Sequence, residues 1–263
     1  TMFSAPHAQA AVGSSCCSDT NIVRTEQVGS NNRLDVKLEG NFTGNRVGIK
    51  QVGDNNKVTH DVKGNWNTDL GTFPKIGNTV EQQGNNNTAS IKTQGDGNVV
   101  SVTHKGNYNN STVNHSDSHF TSTKISSSGN DNRSFALYNQ AYGGGIKIGQ
   151  TGDRNYAYGS LYKTQFVDVS ISQEGSNNRA IVYKDRANNV YGRVTQKGTN
   201  NWVNGGTGKG TWYNVSETIT QTGNNNFYEY WLAGNDVVLN GTQIGSDNKA
   251  VIDNRYADNV KIN

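Results

Sequence analysis

The residues of this 263-residue chain that could do chemistry are few and widely separated. The closest grouping is His115, Asp117 and His119, whose alternate spacing would suit ligands of a metal ion. A polar loop is the simpler interpretation of that segment. Nucleophilic catalysis needs a serine or cysteine beside a base, and no histidine lies in such a motif. The remaining histidines are His7, His60 and His104.

The carboxylates form no recognisable pair. Glycoside hydrolysis uses two carboxyl groups that flank the scissile bond. The carboxylates instead lie at scattered positions that are predicted to face outward, for example Asp168, Glu174 and Glu229. The sequence therefore predicts no catalytic residue, no metal site and no cofactor, and it predicts that the chain is not an enzyme.

Cys16 and Cys17 are adjacent, in a segment of small residues near the N-terminus. Neighbouring cysteines seldom bond to each other, because a disulfide would strain the peptide between them. Two interpretations remain open: an intermolecular disulfide that anchors a fibre base in an oxidising setting, or two free thiols in a tail. The preceding Ala8-Gln9-Ala10 resembles a signal-peptidase site, although no charged or apolar signal region comes before it.

Composition restricts the elements that could position any of these residues. Hydrophobic residues make up 32 % of the chain, well below the roughly 45–50 % of a typical soluble domain. Charged residues make up 17 % and the net charge is +3, which argues against charge-driven disorder and against a basic nucleic-acid-binding patch. No apolar stretch reaches the about 18 residues that would span a membrane. The composition therefore favours a fold held by backbone hydrogen bonds and polar side-chain ladders.

One pattern, Gln-x-Gly-x-x-Asn, recurs along almost the whole chain, and a fixed period of this kind is typical of solenoids. From Gly106 to Gly198 the repeat glycines are 23 residues apart. Two variant copies begin at His104 and Ser127. The eight complete copies consist of Gln27, Gly29, Asn32; Gln51, Gly53, Asn56; Gln82, Gly84, Asn87; Gln150, Gly152, Asn155; Gln173, Gly175, Asn178; Gln196, Gly198, Asn201; Gln221, Gly223, Asn226; and Gln243, Gly245, Asn248.

The residues around each copy alternate with period 2, as Val167, Val169 and Ile171 do before Gly175. Strict alternation is typical of a half-buried strand, and Gly and Asn tolerate the positive φ of tight turns. The predicted fold class is therefore all-β: a single β-solenoid of about ten two-strand rungs, with 22–24-residue repeats.

Stacked rungs would place each inward Gln or Asn against its copies about 4.7–4.8 Å above and below. Side-chain amides carry both donors and acceptors, so such a column satisfies itself. An isolated buried amide would instead cost roughly 1–3 kcal/mol. His60 and His104 are predicted to occupy inward, Gln-like positions as substitutes in the ladder.

The residue directly after the repeat Asn is predicted to face outward. In four consecutive rungs it is Arg179, Trp202, Phe227 and Lys249. Trp202 is therefore expected to pack against Phe227 with a cation on either side, and Trp212 and Trp231 are expected to face outward nearby. Two interpretations remain open: a contact surface for a glycan or another subunit, or an aromatic ladder that only stiffens the solenoid.

The stretch Val-Glu-Gln-Gln-Gly-Asn-Asn-Asn-Thr-Ala-Ser-Ile at residues 80–91 resembles the curlin repeat of curli fibre subunits, as does the segment 171–180. The resemblance extends over about residues 23–255. It implies a β-solenoid that assembles into extracellular or surface fibres without cofactor or catalysis. Ten rungs exceed the usual curlin subunit, and insertions are predicted at 65–75 and 111–121.

Three segments are predicted: an N-terminal arm for docking or targeting (1–22), the curlin-like solenoid (23–255) and a C-terminal cap (256–263). We expect a structural fibre protein of a virion that projects for surface attachment. The alternatives are a secreted curli-like subunit of a bacterial surface fibre, and a β-helical spike that cleaves glycans. Expected partners are further copies of the chain, other fibre or virion proteins and a host-surface glycan, at a virion or cell surface. No nucleic-acid partner is expected.

Overall fold

The computed structural model describes residues 9–11, 21–39, 44–64, 78–116, 118–141, 143–160, 162–183, 185–206, 214–254 and 259–262. Within these residues the chain forms twenty β-strands and no helix, so the all-β prediction is confirmed. It follows that none of the described residues belongs to a helix that could cross a membrane.

Eleven parallel strands form one face of the molecule, which we call the long sheet. In spatial order they are β2 (Ile22–Val28), β4 (Arg46–Val52), β6 (Asn78–Gln83), β8 (Val99–Lys105), β10 (Ser122–Ser128), β12 (Gly144–Thr151), β13 (Phe166–Ser176), β14 (Asn189–Thr199), β16 (Ser216–Asn224), β18 (Val238–Ile244) and β20 (Lys261–Ile262).

The opposite face, which we call the split sheet, consists of two parallel sheets. The first contains β1 (Gln9–Ala11), β3 (Arg33–Glu39), β5 (Lys57–Lys63), β7 (Thr88–Gln94), β9 (Asn110–Ser116) and β11 (Arg133–Asn139). The second contains β15 (Trp202–Val203), β17 (Phe227–Leu232) and β19 (Lys249–Asn254). Single parallel bridges along Arg133, Tyr156, Arg179 and Trp202 connect the two.

Each strand pairs in register with the strand one repeat later, so that equivalent residues meet, as Gln173 meets Gln196. The chain thus forms a β-solenoid of about nine turns with a repeat spacing of about 23 residues, where about ten turns were predicted. Alternate residues of both sheets, such as Val169 and Ile171, point into one narrow core. The outward residues of the two sheets therefore form opposite surfaces of the molecule.

The stacking of rungs explains the repeat glycine. Gly152 has φ +105, and Arg154 two residues later has φ 55. A Cβ added to Gly152 would collide with the carbonyl oxygen of Gly175 in the next rung. The position of Arg154 accepts asparagine and other residues in other rungs. The position of Gly152 accepts only glycine, because the backbones of two rungs approach each other closely there.

The structure corrects the insertion predicted at 111–121. Residues 110–116 form the regular strand β9, whose Ser111, Val113 and His115 face the core. Ser111 and His115 are polar although they face inward, so the segment lacks the alternation of apolar and polar residues from which strands were predicted. The insertion predicted at 65–75 lies outside the described residues.

The predicted terminal segments are described only in part. Residues 9–11 of the predicted arm form β1 and pair with β3 at Asp35–Lys37. Cys16 and Cys17 lie outside the described residues. Near the C-terminus, β20 pairs with Val238 and Leu239 of β18.

Candidate contact surface

The Gln and Asn columns are hydrogen-bonded ladders inside the solenoid. From Gln150 to Gln243, each Gln Nε2 donates to the Oε1 of the Gln in the next rung at 2.8–3.0 Å. Asn155 donates its backbone N–H and its Nδ2 to Oδ1 of Asn132, and its Nδ2 also donates to the carbonyl of Gly175 at 2.8 Å. Between the two ends of the solenoid, these motif residues are occupied in holding consecutive rungs together.

The Gln ladder changes at His104, and the facing strand changes with it. Nδ1 of His104 lies 3.4 Å from Nε2 of Gln82, while its Nε2 lies 2.7 Å from Oγ of Ser111. In the complete copy before it, the residue at the position of Ser111 is Ala89. His104 is thus a ladder substitute, as expected, and Ser111 supplies the partner that an alanine lacks.

His60 is buried but lies outside the Gln ladder, which differs from the expectation. It occupies β5 in the split sheet, between Val36 and Ile91 in the neighbouring rungs. Neither ring nitrogen has a hydrogen-bond partner among the described residues. Burial lowers the pKa of His60 to about 4, so this histidine is held neutral in an otherwise aliphatic column.

The grouping of His115, Asp117 and His119 does not form a described metal site. His115 is buried in β9 with Nε2 2.7 Å from Oγ1 of Thr123, and burial, followed by the nearby His60, lowers its pKa to about 3. His119 lies between β9 and β10, where its Nδ1 accepts from the backbone N–H of Asp96. Asp117 lies outside the described residues, and among those described no three His, Cys, Asp or Glu side chains are arranged to hold a metal ion.

The carboxylates considered for glycan cleavage lie on different faces. Glu174 forms an ion pair with Lys197 on the long sheet at 3.2 Å. Glu229 lies on the split sheet and accepts a hydrogen bond from Nε1 of Trp231 at 3.0 Å. Asp168 lines a cleft on the long sheet. Glu229 therefore cannot act together with the other two on one glycosidic bond.

Sequence reasoning missed a buried carboxylate, Glu217, which is only 3 % exposed. Its register partner in the preceding rung is Gly192, where a built Cβ would lie 2.8 Å from Oε1 of Glu217. Burial, and then the Glu217 carboxylate, raise the pKa of the Tyr230 phenol well above its usual value. The alternation before Ile219 could have placed Glu217 inward, because the two residues share a phase.

Among the described residues, seven outward aromatic side chains line the split sheet toward the C-terminal end, and we call them the aromatic stripe. They are Phe135, Tyr156, Tyr158, Tyr183, Trp202, Phe227 and Trp231. Only Trp202, Phe227 and Trp231 were predicted as contact residues, and Trp212 lies outside the described residues. The other four lie one, three or five residues after a repeat Asn. Their outward orientation could have been predicted from these odd spacings.

Trp202 and Phe227 pack as the sequence led us to expect. Their ring centroids are 4.9 Å apart and the rings meet edge to face at 89°. The guanidinium of Arg179 lies 5.6 Å from the Trp202 ring and 5.2 Å from the Tyr156 ring, and Nζ of Lys249 lies 5.9 Å from the Phe227 ring. Cations thus flank the aromatic pair and join it to the rest of the aromatic stripe.

The rings of the aromatic stripe keep part of their surface open to solvent. Trp202 is 39 % exposed and Trp231 is 38 % exposed, the latter stacked on Tyr183 at 6.2 Å. Rings fixed by their neighbours lose little conformational freedom on binding. Because contiguous exposed apolar patches are typical of interaction sites, the aromatic stripe is the candidate contact surface of the described residues.

No family model matches this chain, and no curated protein matches its sequence.

Proposed function

We propose that this chain is a non-enzymatic structural protein that assembles end to end into a fibre, on a virion or on a bacterial surface. The observation that supports this most directly is the complementarity of the two solenoid ends. A sheet edge with unpaired N–H and C=O groups recruits another strand unless it is covered.

At the first rung, β2 pairs only with β4 among the described strands. Gln27 donates to Oε1 of Gln51 at 2.6 Å. Its own Oε1 is buried and has no hydrogen-bond donor among the described residues. This end therefore offers an acceptor in line with the Gln ladder. Because β1 pairs with part of β3, stacking in full register requires β1 to leave that edge.

At the last rung, β20 pairs only with Val238 and Leu239, so the described chain places no strand beyond the remainder of β18. With Gln27 of a following copy opposite Gln243, Ile22 and Val23 of that copy would take the positions of β20, so stacking in full register requires β20 to leave this edge as well. Gln243 accepts from Gln221 and donates to the carbonyl of Phe227. An amide has two N–H donors, and the second can donate to Oε1 of Gln27 in another copy. Such a head-to-tail contact does not close, so it generates a filament.

Gly245 allows assembly to be tested separately from folding. A Cβ on Gly175 would collide with the carbonyl of Gly198 in the next rung, whereas a Cβ on Gly245 would have Asn248 Nδ2 as its nearest atom, at 3.6 Å. Gly245→Ala should therefore cost a single chain only the strain of its positive φ, about 1–3 kcal/mol. It should block a following copy, whose Gly29 would take the place of the next rung.

We expect the wild-type chain to form filaments by electron microscopy and sedimentation, and Gly245→Ala to stay monomeric with an unchanged β-sheet circular dichroism spectrum. Gly143→Ala is the matched control, because Gly143 has φ +93 with its nearest atom at 3.9 Å and lies away from both ends. It should assemble normally. A wild-type chain that stays monomeric, or assembly of Gly245→Ala at the wild-type rate, would contradict the proposal.

We further propose that the aromatic stripe attaches the fibre to neutral surface glycans. Flat rings can pack against the apolar faces of sugar rings while neighbouring polar groups fix their orientation. Head-to-tail assembly would repeat the aromatic stripe along the filament, and linked weak sites bind together far more tightly than one.

Trp202→Ser combined with Phe227→Ser should lower retention on immobilised cellulose, chitin or dextran by about tenfold or more, since aromatic contacts dominate such interfaces. The circular dichroism spectrum should not change. Phe166→Ser, which removes an aromatic side chain that is 63 % exposed on the long sheet, should leave retention unchanged. Equal loss of retention and β-structure in the double variant would mean that the aromatic pair only stiffens the solenoid.

A further inference from the structure

The outer face of the long sheet, opposite the aromatic stripe, contains a cleft of about 690 Å³. It crosses five consecutive strands, from β10 to β16. At about 4.8 Å for each strand step, this corresponds to about 19 Å along the solenoid axis. A chain-like ligand could therefore lie in the cleft parallel to the axis.

Three cations line the cleft in one column. Lys124 and Lys147 are direct register partners in adjacent strands, and Arg193 follows two strands later. None of the three forms an ion pair among the described residues. Like charges directly opposite each other destabilise a sheet, so the folded chain carries a repulsion here that an anion would relieve.

Charges elsewhere on the same face are arranged differently. Lys50 pairs with Glu26 in the neighbouring rung at 3.1 Å, and Lys197 pairs with Glu174 at 3.2 Å. In both cases one rung supplies the carboxylate and the next rung supplies the cation. Lys124 and Lys147 differ, because they are two adjacent cations with no carboxylate between them. Both line the cleft.

The rest of the lining is suited to sugar rings. Gly145 lacks a side chain, and Ser170 and Thr218 add short hydroxyl groups that can both donate and accept hydrogen bonds. Tyr191, which is 58 % exposed, presents a flat ring at the edge of the cleft. The lining contains two carboxylates. Asp168 faces outward and can accept hydrogen bonds from hydroxyl groups, whereas Glu217 is buried in the inward phase of β16, beneath the column of cations.

We propose that this cleft binds an acidic polysaccharide, with Lys124, Lys147 and Arg193 paired to its carboxylate or sulfate groups. Charge-assisted pairs of this kind are stronger than neutral hydrogen bonds. A nucleic acid fits less well, because it carries a phosphate at every nucleotide and is bound along positively charged grooves with several stacking platforms. This site is separate from the aromatic stripe and does not depend on fibre assembly.

The test uses the full chain and measures affinity for polygalacturonate, heparin, neutral dextran and single-stranded DNA by calorimetry. The two acidic polymers distinguish a carboxylated ligand from a sulfated one. Lys124→Gln combined with Lys147→Gln should weaken binding of the preferred acidic polymer by about tenfold or more. Wild-type binding should weaken with added salt.

Lys197→Gln is the matched control, because it removes one cation from the same face at an ion pair outside the cleft. It should change the affinity for the acidic polymer by less than about twofold, as expected for an exposed pair. The Trp202→Ser, Phe227→Ser chain should keep its acidic-polymer affinity, and so should monomeric Gly245→Ala. These two variants separate the cleft from the aromatic stripe and from assembly.

Three results would overturn the proposal. The first is wild-type binding of both acidic polymers no tighter than that of dextran. The second is unchanged acidic-polymer affinity in the double lysine variant. The third is tighter binding of single-stranded DNA than of either acidic polymer, which would assign the cleft to nucleic acid.

Discussion

The repeat glycine is determined by two constraints that act on one residue. The first constraint is its φ, which is +105 at Gly152 and lies beyond the left-handed region that Arg154 occupies two residues later with φ 55. The second constraint is the carbonyl of the next rung, which occupies the space that a Cβ on Gly152 would need. Backbone proximity between rungs, and not the turn alone, therefore excludes every other residue type.

Gly152→Ala should consequently lower the free energy of unfolding by about 3–5 kcal/mol, from backbone strain combined with overpacking. Gly143→Ala has similar strain without the collision and should lower it by about 1–3 kcal/mol. Urea unfolding followed by circular dichroism measures both. Equal decreases in the free energy of unfolding of the two variants would show that the backbone of the next rung moves to accommodate the added methyl group.

The two strands of a rung are matched to each other across the core. Ser111 in β9 bonds to His104 in β8 of the same rung. In the following rung Oγ of Ser134 lies 3.3 Å from Oγ of Ser127, and Ser134 also donates to Oε1 of Gln150 one rung further on at 2.6 Å. In rungs that keep Gln at the ladder position, the residue in place of these serines is apolar: it is alanine at Ala89, Ala157, Ala180 and Ala250, and a larger side chain at Leu34, Val58, Val203 and Tyr228. Serine hydroxyl groups thus occur in the rungs where His104 or Ser127 replaces the ladder Gln. Without them, a polar atom of the core would have no hydrogen-bond partner.

Ser111→Ala should therefore lower the free energy of unfolding by about 1–3 kcal/mol, because Nε2 of His104 loses its partner in the core. Adding His104→Gln restores the Gln and Ala pair of other rungs and should recover most of that loss. The coupling between the two changes should reach about 0.5–3 kcal/mol in a double-mutant cycle. Ser90→Ala, on the outward side of β7, serves as the control, and additive effects at positions 104 and 111 would argue against a matched pair.

Within the described residues, three neutral histidines are buried along the narrow core of the solenoid. Burial lowers the pKa values of His60 and His104 to about 4 and that of His115 to about 3, from 6.5. Above pH 6.5 the histidines are neutral in both the folded and the unfolded chain. As the pH falls from 6.5 toward 4, only the unfolded chain takes up these protons, so the free energy of unfolding decreases.

Each of these histidines should contribute about 3 kcal/mol to the loss of stability between pH 7 and pH 4. His60→Ile matches the neighbouring Ile91, removes two unpaired ring nitrogens and should lower this acid sensitivity by that amount. At pH 7 the variant should be at least as stable as the wild-type chain. Denaturant unfolding at several pH values measures the difference, and parallel curves for the two proteins would contradict the assignment.

The sequence determined which residues face the core and which face solvent over most of the solenoid. This follows because a strand has a strict period of 2 and the motif marks the same rung position in each copy. The Gln and Asn ladders, the turns and the outward phase of Trp202 and Phe227 could therefore be predicted. The position of His104 in the ladder could be predicted for the same reason, whereas His60 was placed in the wrong column because phase alone does not say which strand of a rung carries the residue.

Only the tertiary structure decided which outward residues become neighbours. Tyr183 stacks on Trp231, although the two are 48 residues apart in the sequence. The register of four neighbouring strands brought Lys124, Lys147 and Arg193 into one column beside a bare glycine. Alternation specifies the face of a strand on which a side chain lies. The lateral packing of side chains and the depth of the surface between them depend on strand pairing and on turns of unequal length, which the repeat pattern does not encode.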